Sequence, residues 1–110
     1  MALKRVVVTG LGALTPIGNN LKDFWSGLIA GKSGSASVTY FDTEKFKTKF
    51  ACELKGFDPL EFLDRKLQRK MDRFTQYGMV STDEAIIDSG IDLEKIDKLR
   101  VGVIWGSGIG

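Results

Sequence analysis

Two short apolar runs, each cut off by glycine, frame this chain. Arg5-Val-Val-Val-Thr9 stops at Gly10, and Arg100-Val-Gly-Val-Ile-Trp105 stops at Gly106. Such runs are too short for helices, and their β-branched content with a glycine turn behind reads as buried strand. Between them lie segments of helical spacing. Asn20 is placed to cap a helix from Leu21 to about Ala30, with Phe24, Trp25, Leu28 and Ile29 on its apolar side and Gly31 as its stop. Arg65 to Ser89 reads as one long helix closed by Gly90, with a narrow seam of Leu67, Met71, Phe74, Gly78, Ser81 and Ala85. Asp58-Pro59 opens a short helix, and Leu93 to Leu99 forms another. Leu11–Gly18 and the Ser- and Thr-rich stretch Lys32–Lys45 are loops, and weak alternation from Phe46 to Leu54 predicts an exposed strand. Two buried strands with helices between them predict an α/β architecture. A chain of 110 residues has room for one domain at most. A parallel sheet needs cover on both faces, so a glycine turn directly after a strand is an unusual place to stop, and the chain is expected to be part of a longer protein.

The chemistry available is narrow. There is no histidine and one cysteine, Cys52. That excludes Ser-His and Cys-His pairs, internal disulfides, and imidazole or multi-thiolate metal sites within these residues. A lone cysteine fits a reducing cytoplasm, and no apolar run approaches the roughly 20 residues of a membrane span. The formal net charge of +2 is too mild to imply a nucleic-acid partner, but its distribution is uneven. Residues 1–73 carry 13 basic and 8 acidic groups, and residues 74–110 carry 3 and 6.

Gly10-Leu-Gly12 after a strand resembles a dinucleotide-binding turn, but Thr15 stands where the third glycine belongs and Pro16 where the helix should be running. Gly27-Leu-Ile-Ala-Gly-Lys-Ser33 is one residue short of a phosphate loop and follows a helix, so Gly31 reads as a helix end. Cys52 has no neighbour in sequence that lowers its pKa and reads as a buried structural thiol. The basic cluster says more. Lys66, Arg69, Lys70 and Arg73 recur at i, i+3, i+4 and i+7 and share one face of a continuous helix, suited either to solvent or to an acidic partner. At the far end, Ile109 is the one bulky side chain of Gly106-Ser-Gly-Ile-Gly110, placed as a packing plug or a pocket gate.

Together these stretches resemble a known family. Arg5-Val-Val-Val-Thr-Gly-Leu-Gly-Ala-Leu-Thr-Pro-Ile-Gly18 resembles the amino terminus of the β-ketoacyl-acyl carrier protein synthases, the condensing enzymes of fatty acid synthesis. Phe41-Asp-Thr43, Thr48-Lys-Phe-Ala51, the block Arg65–Gly78 and Gly106–Gly110 match that family in the same order, over essentially the whole chain. Arg-Lys-x-x-Arg-Lys-Met-Asp and Thr-Pro-Ile-Gly look most like the type II elongation branch, with the type I branch as the alternative. The resemblance implies the thiolase fold, two similar halves stacked as α-β-α-β-α layers in a homodimer, of which residues 1–110 supply the first part of the amino-terminal half. It implies decarboxylative Claisen condensation of malonyl carrier protein with an acyl-enzyme thioester, with no cofactor or metal. The family's cysteine nucleophile, two histidines and lysine map to no residue here, and Cys52 does not match the nucleophile's motif. Alone, these residues are expected to be inactive. Lys66, Arg69 and Lys70 match the family's contacts to the acidic acyl carrier protein, and Ile109 matches the gate of its acyl pocket. The rival readings are a non-catalytic synthase segment that only docks a partner, and a thiolase relative acting on coenzyme A esters.

Overall fold

The computed structural model describes residues 1–109; Gly110, the end of the expected glycine turn, lies outside them. Helix α1 (Leu21–Ile29) forms where expected. Asn20 Oδ1 accepts the Asp23 N–H at 2.8 Å, and past Ala30 the chain turns away at Gly31, whose φ of +66° suits a residue without a side chain. The strand expected over Phe46–Leu54 shrinks to two residues. Strand β1 (Ala36–Ser37), inside the segment read as a loop, pairs antiparallel with β2 (Phe50–Ala51), Ala36 opposite Ala51 and Ser37 opposite Phe50. Beyond the ladder a side chain takes over: the Glu53 carboxylate accepts the Thr39 N–H at 3.1 Å and the Thr39 hydroxyl at 2.8 Å. Lys55 Nζ donates to the carbonyls of Pro16, Gly34 and Glu53, tying this unit to the turn before α1.

Asp58-Pro59 opens a 3-10 turn, Pro59–Glu61, with Asp58 accepting the Leu60 N–H at 2.9 Å. The single helix expected over Arg65–Ser89 is two. Helix α2 (Arg65–Gln68) ends at Arg69, and α3 (Arg73–Ser89) starts after Asp72, whose ψ of 158° is extended. Gly90, at φ 66°, closes α3 as expected. The helix expected over Leu93–Leu99 does not form. Asp92 and Asp97 accept the N–H groups of Glu94 and Leu99, two residues on, and such local bonds favour separate turns over a helix.

Helix α3 is the spine of the molecule. Its small-residue seam lets the segment after the first run press onto it. A Cβ on Gly10 or Gly12 would lie inside contact distance of the Ala85 and Ser81 carbonyls, so these glycines serve close packing rather than approach to a nucleotide. Asp88 accepts the Leu11 N–H at 2.9 Å, and Glu84 accepts those of Ala13 at 2.9 Å and Leu21 at 2.8 Å. Trp105 lies over Gly78 and donates its indole N–H to the Phe74 carbonyl at 2.9 Å.

The two framing runs form no strand and pair with none among the described residues, and they are exposed rather than buried: Val6 is 90% accessible and Ile104 100%. A strand needs a neighbouring backbone to satisfy its N–H and C=O groups, and α3 supplies only packing on one side. Both runs border one open cleft of about 530 Å³, with Thr9 and Gly10 on one side, Val103 and Ile104 on the other, and Ser81 and Ala85 of α3 between. The core is thin: Leu63 and Val80 are the buried apolar side chains among the described residues. The radius of gyration is 17.3 Å, against about 13 Å for a compact chain of this length. No helix among the described residues is long and apolar enough to cross a membrane.

Candidate functional site

The charged face is built on α2. Leu63, buried beside the helix start, anchors the approach, and Asp64 caps the helix by accepting the Lys66 N–H at 2.7 Å. One turn then presents Lys66 and, at its end, Arg69 and Lys70, all exposed. The ion pairs among the described residues are Lys95–Asp92 at 3.2 Å and Lys98–Glu94 at 3.0 Å, so the α2 cations face solvent with no carboxylate within ion-pair distance. Such a face attracts an acidic surface at long range and orients it.

Arg73 is set apart from these three: it follows the break between α2 and α3 and stacks on the Tyr40 ring, 4.1 Å from its centroid. Phe57, Phe62 and Tyr77 complete an aromatic cluster, with Phe57 edge-on to Tyr77 at 5.6 Å and stacked on Phe62 at 5.9 Å. Burial and the Tyr40 hydroxyl push the Tyr77 phenol up, with Arg73 pulling the other way. Gln76, nearly fully buried, bridges the break by donating to the Gln68 and Met71 carbonyls. Sequence reasoning missed Gln76 and Tyr40. Asp72, a favoured residue at helix starts, is the one local signal for the break, and the regular basic spacing across it masks that signal.

The remaining predicted residues lie elsewhere. Ile109 is 94% exposed and plugs nothing among the described residues; the Ser107 hydroxyl donates to its carbonyl at 2.7 Å. Cys52 is exposed, not buried, because it follows the two-residue β2 with no second layer packed over it. Next to it, partial shielding raises the Glu53 carboxyl, but hydrogen bonds from the Thr39 hydroxyl and amide and the Tyr40 amide, with the Lys55 charge, outweigh this and hold it below the usual range.

The chain is 46% identical to 3-oxoacyl-[acyl-carrier-protein] synthase 2 of Vibrio cholerae and 47% identical to that of Coxiella burnetii, in each case over all 110 residues and 27% of the relative. It therefore spans about a quarter of the length of these relatives. Among solved structures it resembles the ishigamide ketosynthase/chain length factor, with a TM-score of 0.78 and 35% identity over 84% of this chain and 23% of that one. It also resembles a type II PKS ketosynthase, solved with its acyl-carrier protein and bound to the hexaketide, with a TM-score of 0.62 and 32% identity over 83% of this chain and 23% of that one. These neighbours give the chain a thiolase-type fold. Residues 3–110 match the β-ketoacyl synthase N-terminal domain, and the chain belongs to the β-ketoacyl synthase family.

Proposed function

We propose that residues 1–110 form the opening part of the amino-terminal half of a 3-oxoacyl-[acyl-carrier-protein] synthase of the type II elongation class, and that Lys66, Arg69 and Lys70 dock its acidic acyl carrier protein. The observation that carries this reading is the unpaired cationic face of α2, in a chain whose whole length aligns with synthase 2 relatives. A related ketosynthase solved together with its acyl-carrier protein supports the partner.

The whole protein then works as a cytoplasmic homodimer of α-β-α-β-α layers, in which Arg5–Thr9 and Arg100–Trp105 become sheet strands and α3 covers one face. In its reaction an acyl group passes from the carrier to an enzyme cysteine, with the carrier thiol leaving. Malonyl carrier protein loses carbon dioxide, and the carbanion attacks the acyl thioester. The new carbon–carbon bond gives a β-ketoacyl carrier two carbons longer and releases the cysteine. That cysteine and its histidine and lysine partners belong to later parts of the synthase. The role of α2 is to raise the local concentration of carrier and set its orientation, which acts on KM more than on kcat.

In the full synthase, Lys66→Glu with Lys70→Glu should raise the KM for an acyl carrier substrate about tenfold, while transfer from a small acyl thioester is spared. Equal loss on both substrates would mean a folding defect and defeat the docking role. Ile109, in the glycine-rich turn after the second run, is proposed as the acyl-pocket gate. Ile109→Phe should shorten the longest acyl chain the synthase accepts, read from a chain-length series; an unchanged preference would remove Ile109 from the pocket.

A further inference from the structure

We propose that Gln76 is the positioning residue that aims the α2 cationic face, and through it sets affinity for the carrier. The inference rests on the docking reading above. The sequence from Arg65 to Ser89 contains no glycine but Gly78 and no proline, and Asp72, its one local signal for a break, makes no side-chain cap bond, so local preferences alone leave one continuous helix open. In that helix the Gln68 carbonyl would receive the Asp72 N–H, and the Met71 carbonyl the Thr75 N–H. In the structure neither receives that helical N–H: the Gln68 carbonyl takes a long 3.4 Å turn bond from the Met71 N–H, and a side chain reaches both carbonyls. Gln76 Nε2 donates to Gln68 O at 3.1 Å and to Met71 O at 3.2 Å, using both amide hydrogens. Helical side chains lean toward the N-terminus, which is why a residue one turn into α3 reaches back across the break. Gln76 is 5% accessible, so its donors have no access to bulk water in exchange.

The competing arrangement is the continuous helix itself. It would return Arg73 to the face of Lys66, Arg69 and Lys70 and pull it off the Tyr40 ring, 4.1 Å away in the structure. Gln76 therefore holds the break from inside and Arg73 on Tyr40 holds it from outside. Without the clamp the cations keep their charge but lose their direction.

The test uses the full synthase. Gln76→Met keeps length and burial and removes both donors. Its KM for an acyl carrier substrate should rise about fivefold at unchanged kcat, with no change on a small acyl thioester, the size expected for misaligning one or two exposed charge contacts. In the Lys66→Glu, Lys70→Glu background, Gln76→Met should add less than about twofold, because the two act through one contact. Asp72, on the surface of the break, makes no side-chain cap bond, so Asp72→Glu keeps the charge and acts through its higher helix propensity alone; by favouring the continuous helix it should raise the carrier KM in the same direction. This second variant serves where Gln76→Met does not fold. Equal loss on both substrates, or full additivity with the charge reversals, would reduce Gln76 to a structural residue. An unchanged carrier KM in Gln76→Met and Asp72→Glu, with the charge reversals still raising it, would overturn the inference and leave docking intact. An unchanged KM in the charge reversals would overturn docking, and the inference with it.

Discussion

Glu53 closes the end of a two-residue ladder with one carboxylate, a job that a longer strand would give to backbone. Its carboxyl is held below the usual range, so the folded state binds its proton less tightly than the unfolded chain does. Its contribution to stability is present at neutral pH and is lost as pH falls through the folded value. Thr39→Val removes the hydroxyl donor at 2.8 Å and keeps the amide. The Glu53 midpoint, followed by carboxyl NMR titration, should move up toward the ordinary glutamate value; a stationary midpoint would show that the hydroxyl contributes nothing. At this scale much was legible in the sequence. Asn20, Asp58, Gly31 and Gly90 act as the caps and stops that their types and positions predict. Cys52 was not legible, because whether a thiol is covered depends on which element packs over it.

Among the elements, α3 does the most. Glu84 accepts two backbone N–H groups, from Ala13 and from Leu21 at the start of α1, and so fixes the loop and a second helix to the spine. Glu84→Ala leaves both donors without this acceptor and should cost about 2–3 kcal/mol in a denaturant titration. Glu84→Gln, which retains one carbonyl oxygen, should cost about half of that. Equal losses would mean that side-chain packing, not the carboxylate, matters there. The seam of Gly78, Ser81 and Ala85 was readable as a narrow helix face, and the structure shows what narrowness is for: Trp105 lies on Gly78, and Gly10 and Gly12 meet the backbone at Ser81 and Ala85. The break between α2 and α3 was not readable from spacing, because it is made by a side chain reaching across it.

For the whole molecule, the framing runs decide the character of the chain. Their apolar side chains are exposed and their ladders unpaired among the described residues. If they are sheet strands of the full synthase, hydrogen exchange should protect the amides of residues 6–9 and 101–105 there by about a thousandfold or more. The same amides in the 110-residue polypeptide should exchange near the unprotected rate. Equal exchange in both would remove these runs from the sheet.

The sequence by itself determined the local starts and stops, the apolar framing runs, the family and the set of cations, because caps, glycine stops and β-branched runs act over a few neighbouring residues. Only the tertiary structure decided which way those cations point and which runs lack a neighbour. Those depend on Gln76 reaching two carbonyls across a break, and on backbone partners that a strand cannot supply for itself.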